Sequence, residues 1–157
     1  MTITTRDERS VTGRDFFHTG IIVDDVEATA ARLTEHFGYE WCPPTGGTGR
    51  ALLPTGEREW TTTFIHTRSE PRIELMSSVQ STFMMPVPGS GIHHLGYWSK
   101  DVASDGAELE RLGYVNEAYG LLPDDTRFWA FHLHPAGYRV ELVSRSIQGV
   151  LEQYWAS

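Results

Sequence analysis

HTGIIVDDVEATAARL, residues 18–33, has a second copy at residues 94–109, HLGYWSKDVASDGAEL. The two copies share His, Gly, Asp-Val, Ala and Leu at the same spacing. Each half of the chain then closes on a similar segment, IELMS at residues 73–77 and VELVS at residues 140–144. Because these matches occur in the same order, they predict an internal duplication.

Each copy has the pattern of a strand followed by a helix. Apolar residues first alternate as they do in a half-buried strand, and Asp-Val then begins a stretch with helical spacing. Gly38 and Gly113 are suited to end the two helices. Three further strands follow each helix, so that the chain reads as βαβββ twice, an α+β fold. The predicted strands lie around residues 50–54, 60–67 and 71–77 in the first copy, and 115–120, 126–134 and 138–144 in the second.

The repeat also predicts the organisation of the chain. We expect one domain over residues 1–157, in which two modules pack side by side. Apolar residues at helical spacing near the end of the chain favour a closing helix or a dimer contact. The predicted segments are module one (14–82), a linker of turn-forming residues (83–90), module two (91–146) and a C-terminal helix or tail (147–157).

Composition limits the classes of partner. The formal charge of −8 and the lack of Lys and Arg clusters disfavour nucleic acid and anionic membranes. Cys42 is the single cysteine, which excludes an internal disulfide and a thiolate metal cage. The polar N-terminus does not have the pattern of a secretory signal. These features favour a soluble cytoplasmic protein that binds a small molecule.

Duplicated βαβββ modules, each opening with a strand His and closing with a strand Glu, resemble the vicinal oxygen chelate superfamily. That family includes glyoxalase I, methylmalonyl-CoA epimerase, extradiol dioxygenases and drug-resistance proteins. The resemblance covers about residues 14–146. HPAGYRVEL at 134–142 is similar to the family's closing hairpin, although His134 stands where Asp is usual, and GIHHLG at 91–96 resembles the second-module opening of epimerase-like members. The resemblance implies that the two modules form cupped mixed sheets around a shared metal cleft.

The resemblance also implies a metal site made by His18, Glu74, His94 and Glu141. Taken singly, a strand His or Glu is weak evidence, but the same pair at matching places in both copies suits a pseudo-symmetric site. His94 rather than His93 aligns with His18, so replacing His93 should leave metal binding intact. The mixed nitrogen and oxygen donors suit a divalent Zn, Ni, Co, Mn or Fe ion.

The function that this implies is a metal-dependent isomerase or epimerase, or a glyoxalase-type lyase. It would abstract a proton next to the carbonyl of a carbonyl or acyl substrate and stabilise the resulting enolate. Glu141 is the first candidate for the base and Glu74 the second. The alternatives are an extradiol-type dioxygenase and a non-catalytic small-molecule binding or resistance protein.

Two further groups of residues stay open. Four aromatic residues form either a pocket or ordinary core: Trp60, Trp98, Trp129 and Phe131. His132 and His134 share a strand face, and they either line the pocket or, as we expect, lie exposed.

Overall fold

The computed structural model of the protein describes residues 10–157, so the polar residues 1–9 lie outside the described chain. Eight strands form one closed barrel in the order β1-β4-β3-β2-β6-β7-β8-β5. The elements of the first half are β1 (Phe16–Val23), α1 (Val26–Phe37), β2 (Thr45–Leu53), β3 (Gly56–His66) and β4 (Ile73–Ser77). Those of the second half are β5 (Ile92–Ser99), α2 (Val102–Arg111), β6 (Val115–Leu121), β7 (Arg127–Leu133) and β8 (Arg139–Ser144), and α3 (Gln148–Ala156) follows.

This arrangement confirms the predicted α+β fold with two βαβββ modules. Each half contributes four neighbouring strands, and the halves meet where β1 pairs with β5 and β2 pairs with β6, both antiparallel. The sheet is mixed, because β1 runs parallel to β4 and β5 runs parallel to β8. No helix in the described chain combines the length and apolar character that a membrane span requires.

The repeated Asp-Val marks the start of both helices. The Asp25 carboxylate accepts from the Ala28 N–H at 2.9 Å, and the Asp101 carboxylate accepts from the Ser104 N–H at 3.0 Å. Such N-caps satisfy N–H groups that have no partner within the helix. Gly38, with φ of +73°, ends α1 in the left-handed conformation that favours glycine.

The strand β2 begins earlier than the sequence predicted, at Thr45 rather than near residue 50. Residues 45–49 are TGGTG, a polar and glycine-rich stretch without the apolar alternation of a strand. They are held instead by pairing along β3, from Thr45 opposite Phe64 to Gly49 opposite Trp60.

Helices α1 and α2 pack on the outside of the barrel, so the strand side chains that contact them point outward and the alternate side chains point inward. Val26 and Ala30 of α1 pack against Ile65 and Leu75, and α2 packs in the same way against the second half. Because side chains alternate along a strand, Glu74 next to Leu75 faces the barrel interior.

Candidate metal centre

The repeated His-x-Gly motif is explained by the pairing of β1 with β5. In this antiparallel pair His18 lies opposite Gly96, and Gly20 lies opposite His94. A Cβ added at Gly96 would lie 1.9 Å from Cε1 of His18, and one added at Gly20 would lie 2.0 Å from Cε1 of His94. Each imidazole therefore occupies the space that a side chain on the other half would fill.

The two carboxylates reach the same level of the barrel through the parallel strand pairs. Glu74 of β4 lies beside Gly20, and Glu141 of β8 lies beside Gly96. The structure thus brings all four predicted residues together. They are buried, with relative exposures of 1% for His18, 7% for Glu74, 1% for His94 and 8% for Glu141, and one donor atom from each lies within 4.8 Å of the others.

The separations between the donor atoms suit a single cation. His18 Nε2 lies 3.0 Å from His94 Nε2, and Glu141 Oε2 lies 3.1 Å and 2.9 Å from these two nitrogens. Glu74 Oε1 lies 3.5 Å and 3.3 Å from them. Donors bound at about 2.1 Å to one ion would lie roughly 3.0 to 3.4 Å apart at right or tetrahedral angles.

Glu74 Oε1 supplies a further test of the fit. This oxygen is buried and has no hydrogen-bond partner within residues 10–157. An unsatisfied buried carboxylate oxygen is costly, and a cation between the four residues would remove that cost.

Without a cation, protons must balance the two carboxylates. Burial alone would lower the pKa of His18, but Glu74 and Glu141 more than offset it and raise that pKa to about 10. Burial alone would raise the pKa values of Glu74 and Glu141, but the neighbouring imidazoles lower both. A metal ion would therefore have to displace a proton from this cluster.

Outside these four residues, His66 of β3 holds Glu74. The Trp155 indole N–H of α3 can only donate, and it donates to Nδ1 of His66 at 2.7 Å. Nε2 of His66 consequently carries the proton and donates to Glu74 Oε2 at 2.7 Å. The other oxygen, Oε1, is left facing the imidazoles of His18 and His94.

His93 holds His94 in a comparable way. The Phe83 carbonyl can only accept, so Nε2–H of His93 donates to it, and the Nδ1 of His93 accepts from Nδ1–H of His94 at 3.0 Å. Burial, followed by the positive charge on His94, lowers the pKa of His93 to about 3, which keeps this imidazole neutral. Once His94 loses the proton on Nε2, the lone pair left on that nitrogen is directed at the other donors.

The sequence did not predict the contacts that His66 and His93, the two outer histidines, make with the four donor residues. His66 has no counterpart in the repeat, because the residue opposite Glu141 is Phe131 whereas the residue opposite Glu74 is His66. The available signal was alternation along β3, which places His66 on the same face as Trp60 and Phe64. His93 was expected to face away from His94, but an irregularity in the β1–β5 register at this point leaves it buried against its neighbour.

A cavity of about 410 Å³ opens beside the four donors. Trp60, Trp129 and Phe131 line it and also pack together in a buried core cluster, so both sequence interpretations hold for them. Trp98 instead stacks on Phe17 with ring centroids 3.9 Å apart. The expectation for His132 was wrong.

His132 is neither exposed nor in the cavity. It is completely buried beside Tyr119, with ring centroids 5.7 Å apart, and a Cβ added at Gly106 of α2 would lie 2.4 Å from the Tyr119 hydroxyl and 3.1 Å from Cε1 of His132. His134 is half-buried in the turn before β8, where its ring stacks on Tyr138.

Comparison with known proteins identifies a family and a fold. Residues 17–131 match the family described as the Glyoxalase/Bleomycin resistance protein/Dioxygenase superfamily. Among curated protein sequences, none matches the chain.

Several solved structures share the fold at low identity. Methylmalonyl-CoA epimerase from Mycobacterium tuberculosis is 19% identical, with 96% of this chain and 97% of that chain covered and a TM-score of 0.57. A variant of the Streptomyces coelicolor epimerase in complex with 2-nitronate-propionyl-CoA is 18% identical, with coverages of 82% and 92% and a TM-score of 0.54. A hypothetical protein from Bacillus halodurans is 17% identical, with coverages of 87% and 96% and a TM-score of 0.54.

Proposed function

Because this chain belongs to the Glyoxalase/Bleomycin resistance protein/Dioxygenase superfamily, the vicinal oxygen chelate superfamily, we propose that it is a metal-dependent isomerase or epimerase. His18, Glu74, His94 and Glu141 would hold a divalent cation. The observation that carries the proposal is the convergence of two imidazole nitrogens and two carboxylate oxygens from both halves on one buried point. A glyoxalase-type lyase would use the same residues.

A divalent cation in this site would supply the positive charge that stabilises the negative oxygen of an enolate. The protein must then remove a proton from the carbon next to the substrate carbonyl and return it. A carboxylate beside the cavity can do both.

Glu141 is the better placed of the two carboxylates. Its hydrogen-bond partners within the described chain are the two ligand imidazoles, and Phe131 lies opposite it on β7. Glu74 is also bound by His66. Glu141 can therefore turn toward a substrate without breaking a bond to an outer residue, and we assign it the role of base, with Glu74 as the second candidate.

The first test is the metal content of purified protein that has been stripped and then reloaded. We expect one ion per chain in the wild type and none in His94→Ala. His36→Ala is the matched control, because His36 is an exposed imidazole on α1, and it should retain the ion. Equal metal content in the two variants would contradict the assigned ligands.

The second test is deuterium uptake from D2O by a panel of carbonyl acids and thioesters. Glu141→Gln keeps a ligand oxygen but cannot accept the proton, so we expect it to retain metal and to slow exchange by about 10² to 10⁴-fold. A metal-loaded wild type that exchanges none of the panel would contradict the isomerase proposal and favour a dioxygenase or a binding protein.

A further inference from the structure

The walls of the cavity carry information about the substrate that the metal ligands do not. The cavity, at about 410 Å³, is in the lower part of the size range of small-molecule sites, roughly 300 to 1,000 Å³. It is reached from the four donors directly, since His18, Glu74 and Glu141 form part of its wall.

Aromatic side chains make up much of the remaining wall. The Trp60 and Trp129 ring centroids are 5.6 Å apart, and those of Trp129 and Phe131 are 5.5 Å apart. Rings in such tilted and edge-to-face arrangements favour a further aromatic ring at a similar distance. The aromatic residues that line the cavity are Phe17, Trp60, Phe64, Phe128, Trp129 and Phe131.

Glycines on two neighbouring strands shape this aromatic wall. A Cβ added at Gly120 would lie 2.1 Å from the Trp129 indole, so the ring lies flat on β6 only because residue 120 has no side chain. On β2, a Cβ at Gly47 or Gly49 would meet no atom of residues 10–157 within 4 Å. The space in front of β2 is therefore left open beside Trp60.

The charge of the wall disfavours a phosphate group inside the cavity. Among the residues of the described chain that line the cavity, Arg50 is the only Arg or Lys. Its guanidinium already donates to Glu57 at 3.1 Å, to Asp125 at 2.8 Å and to the Leu122 carbonyl at 2.8 Å. Phosphate recognition requires donors that are free to bind it, and a CoA thioester carries several negative charges.

We propose that this site takes a compact aromatic carbonyl compound, neutral or singly charged, rather than an acyl-CoA. The inference rests on the proposed function, since the carbonyl is placed at the cation. It separates this protein from the epimerases with which it shares a fold, one of which is known in complex with an acyl-CoA analogue.

Calorimetric titration of the metal-loaded full chain tests the proposal with three probes: phenylpyruvate, 2-oxohexanoate and propionyl-CoA. Phenylpyruvate should bind about tenfold more tightly than 2-oxohexanoate, because only the former presents a ring to the aromatic wall. Propionyl-CoA should bind no more tightly than 2-oxohexanoate. Tighter binding of propionyl-CoA than of phenylpyruvate would overturn the proposal.

A pair of variants tests whether the wall causes the preference. Trp129→Leu should remove the advantage of phenylpyruvate, whereas Trp129→Phe, which keeps a ring, should retain most of it. An unchanged preference in Trp129→Leu would also overturn the proposal.

Metal content is measured on the same samples, with wild-type content expected in both variants. A protein that binds no metal contradicts the proposed function. A metal-loaded protein that prefers the thioester contradicts only the substrate class.

Discussion

The two halves of the barrel contribute the same pair of residues, one His and one Glu, to the proposed metal site, but each half restrains a different member of its pair. In the first half an outer histidine, His66, holds the carboxylate of Glu74, while Nδ1 of His18 is buried without a partner in the described chain. In the second half the outer histidine, His93, holds the imidazole of His94.

The difference shows which features the repeat preserves and which it does not. The matched glycines and the parallel strand pairs keep the four donors in place in both halves. The residue opposite each Glu differs, His66 in one half and Phe131 in the other. The contacts around the four donors can change from one half to the other without moving a donor, and the result is one carboxylate held by a further histidine and one that is not.

The largest effect should come from filling the space over each imidazole. Gly96→Ala would displace His18 and Gly20→Ala would displace His94, so we expect both to weaken metal binding by at least about a hundredfold, beyond the range of outer-shell changes. Gly20→Ala should also lower the free energy of unfolding by about 1 to 3 kcal/mol. Gly96→Ala should lower it less, because Nδ1 of His18 has no hydrogen bond within the described chain that would hold the ring in place.

Chelator competition and urea unfolding measure these two quantities. Gly49→Ala is the control, since a Cβ there meets no atom of the part of the chain that the structure describes within 4 Å, and it should change neither quantity. Retention of normal affinity by both variants would show that the facing glycines do not set the positions of the imidazoles.

The pH dependence of metal binding tests whether His18, in the first half, is protonated when no metal is bound. The pKa of His18 is raised to about 10 in the absence of metal, so its imidazole is protonated at neutral pH and must lose that proton to bind. Affinity should therefore rise with pH below about 10, by about tenfold per pH unit for each proton released, or roughly a hundredfold from pH 6.5 to 8.5. Calorimetry in two buffers of different ionisation enthalpy should detect at least one proton released per ion. Affinity that does not change with pH would contradict a protonated cluster.

Replacing His66 should make the first half resemble the second. In His66→Phe, Glu74 Oε2 loses its donor, and we expect metal affinity to fall by about 10 to 100-fold. His66→Gln keeps an N–H donor and should recover part of the loss. If His66→Phe and His66→Gln had equal affinities for the metal, the hydrogen bond from His66 would not be what positions Glu74.

The sequence was sufficient for the fold and for the four converging residues because both depend on the repeat. Alternating apolar residues and the Asp25 and Asp101 caps gave strands and helices, and aligned His and Glu residues gave the cluster. The contacts of His66 and His93 depend on how neighbouring strands pair. The repeat does not predict these contacts, because they differ between the two halves. His66 lies opposite Glu74 only once β3 pairs with β4.

The smallest effect should come from His93, and it separates two expectations. Strand alternation predicts that replacing His93 leaves metal binding intact, whereas the contact between the two Nδ1 atoms predicts weaker binding. In His93→Phe the Nδ1–H of His94 loses its acceptor, but the ring is still positioned by Gly20 and by Phe131, whose centroid is 5.0 Å away. We therefore expect a loss of about tenfold in affinity, at the low end for outer-shell ligands. Chelator competition on His93→Phe, with His93→Gln as the variant that keeps an acceptor, decides between them. Wild-type affinity in His93→Phe would mean that the second half positions its imidazole by packing alone.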